Sequence, residues 1–151
     1  MKKKVFSFIF LFCFIFLLTG CGQKDQLRCS YLQEQSGLAV NQVVNLKFKE
    51  GIVSNVKLTI AAGATTDDAK SKWDEFIQEV DKQYPEKEAK GLSVKRVLNK
   101  DDNVYKLILD IDISKVDDKD LENYGLNGIA GTSAEYSATK ESFEKNGFTC
   151  E

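Results

Sequence analysis

The chain has 151 residues, with 21 basic against 23 acidic side chains, no histidine and a formal charge of −2. That length is one domain's worth of chain, and the charge balance argues against a nucleic-acid binder, which needs a concentrated basic surface. The missing histidine removes the commonest general base, zinc ligand and triad partner, which argues against an enzyme.

Lys2, Lys3 and Lys4 precede an uncharged, Phe-rich run from Val5 to Leu18, followed by Leu18-Thr19-Gly20-Cys21. The run is shorter than the ~20 residues that cross a bilayer as a permanent helix, and small residues come directly after it, the pattern of a cleavable secretory signal. The lysines stay cytoplasmic by the positive-inside rule, so the chain beyond the apolar run is exported. Leu18-Thr19-Gly20-Cys21 resembles the bacterial lipobox, which implies a diacylglyceryl group on the Cys21 thiol and a cut just before it. Residues 1–20 are therefore read as a lipoprotein signal peptide and 21–26 as a short polar tether. The mature chain is expected on the outer face of the cell membrane, held by acyl chains worth ~0.8 kcal/mol per buried methylene. Loss of the three lysines leaves 18 basic against 23 acidic groups.

Residues 27–151 are read as one folded domain. Leu27, Cys29 and Tyr31 share one face of a first strand. Val44, Leu46 and Phe48 alternate with polar residues, Glu50-Gly51 turns the chain, and Val56, Leu58 and Ile60 alternate in return, which is a hairpin with positive φ at Gly51. The period then changes. Ala69, Trp73, Phe76, Ile77, Val80 and Tyr84 follow helical spacing, with Thr65 or Thr66 as cap, Asp67 and Asp68 in the first turn and Pro85 as the stop. Its register with Phe76, Ile77 and Val80 puts Trp73 in the core rather than in a cleft.

A second hairpin joins Leu92–Leu98 to Val104–Ile113 through a loop at 99–103. In its return strand Tyr105, Leu107, Leu109, Ile111 and Ile113 face a core, whereas Lys106, Asp110 and Asp112 face solvent. A short helical turn is expected over Val116–Tyr124, a glycine-containing loop over Gly125–Gly131, and a final helix from about Ser133 to Asn146 with Gly147 as its C-terminal cap. The order of strands and helices predicts a single α+β domain: a mostly antiparallel sheet with helices packed on one face.

The mature chain resembles the YehR-like small bacterial lipoproteins. The likeness is carried by Leu18-Thr19-Gly20-Cys21-Gly22, Gly63-Ala64-Thr65-Thr66-Asp67-Asp68-Ala69, Ile111-Asp112-Ile113-Ser114-Lys115-Val116 with Gly125 and Gly128, and Lys145-Asn146-Gly147-Phe148. The resemblance implies an α+β lipoprotein of unassigned biochemical function, with no catalytic residues to carry over. The pair Cys29 and Cys150 departs from that pattern.

Cys13 leaves with the signal and Cys21 is consumed by lipid, so two cysteines remain in an oxidising compartment, and a Cys29–Cys150 disulfide is expected. Two buried free thiols, or a redox pair without Cys-x-x-Cys spacing, stay open as alternatives. Asp110, Asp112, Asp117, Asp118, Asp120 and Glu122 supply oxygens of the kind calcium prefers, but the spacing fails the EF-hand template and reads as solvated surface. No metal site and no cofactor is implied. Tyr124 and Tyr136, flanking the glycine loop, are candidates for a ligand or partner surface. The function expected is non-enzymatic: a membrane-anchored module binding an envelope protein or small ligand. The alternative is a histidine-free hydrolase using Asp110, Asp112 or a neighbouring acid as general base or nucleophile.

Overall fold

A computed structural model of the chain describes residues 25–124 and 135–151. Its elements are β1 (Gln26–Gln35), β2 (Leu38–Lys49), β3 (Ile52–Ala64), α1 (Asp67–Gln83), β4 (Lys87–Ala89), β5 (Leu92–Asn99), β6 (Val104–Asp112), α2 (Asp118–Asn123), α3 (Tyr136–Lys145) and β7 (Thr149–Cys150). The strands form one sheet in the order β4-β5-β6-β3-β2-β1-β7, and every neighbouring pair is antiparallel. The α+β architecture expected from the sequence is the one found.

Two tight turns set up the central strands. Ser36-Gly37 and Glu50-Gly51 each take φ near +50° and then +80°, which matches the twist of the strands they join. Gly37 is fixed twice over, by its φ and by space: a Cβ there would lie 2.4 Å from the Thr66 hydroxyl oxygen. Thr65 ties down the same turn, donating from its amide (2.8 Å) and its hydroxyl (3.0 Å) to the Gly37 carbonyl. Between β2 and β3 the register shifts at Lys47/Phe48, where Phe48 faces Val53 but Lys47 faces Asn55. Ser54 is the extra residue, and this bulge lets Val53 and Val56 both turn toward the core although three positions separate them.

All three helices of the described residues cover the same side of the sheet. The Trp73 indole N–H on α1 donates to the Ala62 carbonyl at 3.2 Å, and the Tyr105 hydroxyl on β6 donates to the Asp81 carboxylate on α1 at 2.8 Å. Ala62 and Tyr105 are cross-strand partners and so share a face. Tyr136 at the start of α3 packs on Phe48 with ring centroids 5.4 Å apart. At the β4 side, Leu121 of α2 is buried and Asp120 pairs with Lys87. The inner face supplies Leu27, Cys29, Leu46, Phe48, Val56, Ile60, Val94, Tyr105, Leu107, Leu109 and Ile111 to one continuous core.

Helix ends follow the residues expected of them. Thr66 caps α1 in an extended conformation, but its side chain makes no capping bond. It lies against Gly37 instead. At the end of α3, Gly147 takes φ +87°, the Phe148 amide bonds the Phe143 carbonyl (3.1 Å) and the Gly147 amide bonds the Glu144 carbonyl (3.0 Å). The Phe143 and Phe148 rings meet edge to face at 5.2 Å, which completes a Schellman ending with its apolar contact. Phe148 then packs on Tyr31, 5.4 Å away, and delivers the chain to the edge of β1.

Candidate functional site on the open sheet face

Because side chains alternate across a strand, the residues between the core positions form a second face, and no helix among the described residues covers it. Cross-strand pairing aligns Arg28, Asn45, Lys57, Asp110, Ser93 and Glu88 into a row spanning five strands and the short β4. Glu151 extends the row past β1, with two backbone hydrogen bonds to Arg28 (3.1 and 2.9 Å) and a side-chain ion pair to it at 3.7 Å.

Lys57 and Asp110 stand at the centre of this row, 4.0 Å apart and both about half exposed. The Asn55 amide nitrogen donates to the Asp110 carboxylate at 3.0 Å and to the Ile111 carbonyl at 2.8 Å, which holds the carboxylate in place. Two shallow hollows meet at this pair. One, of about 320 Å³, is lined by Arg28, Lys47 and Lys57 with the amides of Gln26, Asn45 and Asn55 and the carboxylates of Asp110 and Glu151. The other, of about 540 Å³, is lined by Glu88, Asp110 and Asp112 with Lys57, Ser93 and Lys95. Both hollows mix charges, with cations in slight excess in the first and carboxylates in slight excess in the second, a pattern that suits an extended partner bearing both charges.

Two carboxylates at the margin of this face, Glu88 and Asp112, are engaged by neighbours and held acidic. A hydrogen bond from Ser93, and then Lys95, hold Glu88 below the usual carboxylate range. Lys115 and Ser114 do the same for Asp112, with the Lys115 Nζ at 2.6 Å and the Ser114 hydroxyl at 2.6 Å. A carboxylate held low is a poor general base at neutral pH. The acidic stretch is dispersed: Asp110 lies on the open face, Asp112 folds onto Ser114 and Lys115, and Asp120 is buried on the helical side against Lys87. The Asp120 carboxylate raises the Lys87 pKa, first through the hydrogen bond itself.

The residues singled out by sequence divide. Cys29 and Cys150 form a disulfide, with Cα atoms 4.1 Å apart. The adjacent Arg28–Glu151 pair exchanges both backbone hydrogen bonds, so the cysteines occupy the closely spaced, non-hydrogen-bonded position of the β1–β7 ladder. Tyr124, a candidate surface residue, is buried: its ring stacks on Tyr84 at 6.1 Å and its hydroxyl donates to the Pro85 carbonyl at 3.0 Å. It serves packing between α1 and α2, which the sequence pattern of a short turn next to a glycine loop does not reveal. Tyr136 is partly buried against Phe48. Cys21 and the glycine-containing loop expected over Gly125–Gly131 lie outside the described residues. Sequence reasoning noted Asp110 on the solvent side of its strand, but not the row it forms with Asn45 and Lys57.

Comparison with known proteins adds a likeness of fold. No family model matches the chain, and no curated protein matches it. A solved structure that it resembles is described as the NMR structure of the protein from Streptococcus pneumoniae TIGR4. The likeness has a TM-score of 0.54 at 17% identity and covers 83% of this chain and 84% of that one. At that identity the likeness shows an architecture alone.

Proposed function

We propose that this protein is a lipid-anchored, extracytoplasmic binding module that holds an extended, charged envelope partner on its open sheet face, and that it is not an enzyme. The observation that carries the reading is the polar row centred on Lys57 and Asp110, which no helix among the described residues covers, opposite a face used by the core. Export and tethering rest on the signal pattern and on Leu18-Thr19-Gly20-Cys21, and a Cys29–Cys150 disulfide suits the oxidising compartment to which that signal leads. Kinship with the YehR-like lipoproteins belongs to the same proposal. Hydrolysis by Asp112 is disfavoured by the Lys115 and Ser114 contacts that keep its carboxylate acidic.

The tether is tested by Cys21→Ser with a fatty-acid analogue. Wild type is expected to carry the label and the variant to lose it together with its partition into detergent, whereas equal labelling of the two ends the lipoprotein reading. Binding is tested by affinity capture of the intact protein from its own membranes, comparing wild type with Lys57→Glu. A partner retained by wild type and lost by the variant supports the open face as the site. Undiminished capture by Lys57→Glu, or turnover in a hydrolase screen, sinks it.

A further inference from the structure

The open face has an order of its own. Along its central row Arg28 and Lys57 stand on β1 and β3, whereas Asp110 and Glu88 stand on β6 and β4, so the seam between β3 and β6 divides cations from anions. Glu151, beyond β1, is held by Arg28. The rows toward the β5–β6 turn divide by size at the same seam. Thr59, Ala61 and Gly63 on β3 pair with Ile108, Lys106 and Val104 on β6. Val104 is 47% exposed, and Val97, on the same face of β5, is 59% exposed.

We propose that this face closes on a second copy of the chain, about a two-fold axis that runs parallel to the strands along the β3–β6 seam. That axis lays β3 of one copy over β6 of the other, β2 over β5 and β1 over β4, and every row faces its own copy. Lys57 then meets Asp110 of the second copy, Asn45 meets Ser93, and Arg28 meets Glu88, each contact being made twice. Within one chain Lys57 and Asp110 are 4.0 Å apart, so the four groups form a ring of alternating charge at the centre. Asn55 holds each carboxylate of the ring in place. Small faces large in the other rows: Thr59 meets Ile108, Gly63 meets Val104, and Ala61 meets the Lys106 stem, whose ammonium reaches the rim.

The area suits a dimer. Strands ~4.8 Å apart and rows ~6.6 Å apart give the face about 600 Å² per copy and about 1,200 Å² in all, the lower limit of a specific pair. Its charged centre makes the pair weak in dilute solution, and tethering to one membrane raises the local concentration.

The choice of axis rests on the lipid anchor proposed above. Phe48 donates from its amide to the Asp25 carbonyl at 2.8 Å, so the chain enters the sheet at the end that holds the β2–β3 turn. Four residue steps separate Asp25 from Cys21 and span at most ~14 Å. A two-fold along the strands keeps both entry points at one end, within reach of one membrane. A two-fold across the strands sends them to opposite ends, roughly 30 Å apart, and sets the charged rows against Val97 and Val104. Because the envelope partner proposed above uses the same face, that complex and the dimer exclude each other.

Exchange of charge tests the pairing. Lys57→Glu gives the central ring four acids, and Asp110→Lys gives it four bases. Full-length wild type and both variants are each made with Asn45→Cys and, separately, with Ser93→Cys, placed in dilute vesicles and treated with a bismaleimide spanning ~10 Å, the separation of packed sheets. A 45–93 link between copies is expected in the wild-type background and at least tenfold less of it within either charge variant alone. Mixing the two variants should return it to the wild-type level, since each lysine again faces an acid. Melting curves and the Cys29–Cys150 bond report folding. Undiminished links in a folded single variant, or a mixture no better than its components, overturn the dimer. An envelope partner of fixed charge gains nothing from the mixing, so the exchange separates the two occupants. Fatty-acid labelling of Cys21 reads the anchor by itself, and without that label the same exchange, run in solution at high protein concentration, still decides the pairing.

Discussion

The two faces of the sheet are built by the same strands and obey opposite rules. On the inner face Tyr105, Leu107, Leu109 and Ile111 of β6 are fully buried, and every helix among the described residues is spent covering them and their neighbours. One residue along, Lys106, Ile108, Asp110 and Asp112 are exposed or half-buried. Burial makes the inner face sensitive to the size of each side chain, because a closely packed interior relaxes only partly around a void. Exposure frees the outer face from that constraint, so its charges can be arranged for a partner. On the binding role proposed for the outer face, fold and recognition fall on alternate residues, and substitutions should separate them.

The largest separation is expected at Trp73. The side chain is 1% exposed, and its indole N–H bonds the Ala62 carbonyl across the helix–sheet interface. Trp73→Ala should cost ~3–5 kcal/mol, from lost burial and the cavity left behind. Urea melts of the two proteins measure it, and an unchanged midpoint would falsify the core assignment.

Next comes the disulfide, which joins positions 121 residues apart and so closes nearly the whole domain. The chain-entropy ceiling for such a loop is ~4–5 kcal/mol, and removal of a native bond costs ~2–5 kcal/mol in practice. Replacing Cys29 and Cys150 together by alanine should fall in that range and free the β7 end first, since β7 has only two residues paired. Hydrogen exchange at Arg28 and Glu151, whose amides bond each other's carbonyls, should speed up before exchange in β3 or β6. Uniform exchange across the sheet would contradict it. Alkylation of unfolded, unreduced wild type should leave both cysteines unlabelled.

Much of the inner face was legible in the sequence, because its signal is periodic and local. Alternation over Val104–Ile113, helical spacing from Ala69 to Tyr84 and a glycine after the last helix each specify an element without knowledge of the rest. The features that were not legible depended on distant pairing. The β1–β2 hairpin was missed because Leu38-Ala39-Val40 lacks clean alternation and its turn, Ser36-Gly37, is a weak signal. The edge strands β4 and β7, three and two residues long, carry no period at all. The polar row was hidden for a sharper reason. A two-residue turn at Glu50-Gly51 without a bulge would set Asn45 opposite Val56, and only the extra residue Ser54 brings Asn45 to Lys57. Tyr124 reads as surface by its neighbours in sequence and is buried by Tyr84 and Pro85, which lie about forty residues earlier.

A smaller effect is expected from pH at the margin of the outer face. Lys115 and Ser114 hold the Asp112 carboxyl below its ordinary value. A carboxyl lowered by folding contributes stability that is present above its unfolded pKa, about 3.9, and is lost as pH falls through the folded value. Asp112→Asn should therefore leave melting temperature unchanged relative to wild type at low pH and slightly reduce it at neutral pH. A variant that loses more in acid than at pH 7 would reverse the sign and discard this account of Asp112.

The smallest effect on stability, and the one that most sharpens the contrast between faces, is expected at Lys57. Its ammonium is about half exposed and 4.0 Å from Asp110, the geometry of a solvent-screened pair worth ~0–1 kcal/mol. Asp110 keeps its hydrogen bond from Asn55 when the lysine is removed, so no buried group is left unsatisfied. Lys57→Ala should accordingly shift the urea midpoint by an amount equivalent to ~0.5 kcal/mol or less, with the disulfide and the β3–β6 register unchanged. The same substitution removes the cation shared by both hollows of the open face and should weaken capture of a charged partner severalfold, more at low salt than at high salt. A stability loss comparable to Trp73→Ala would place Lys57 in the fold's own machinery, and full binding by a fully stable Lys57→Ala would move the recognition surface away from the row's centre.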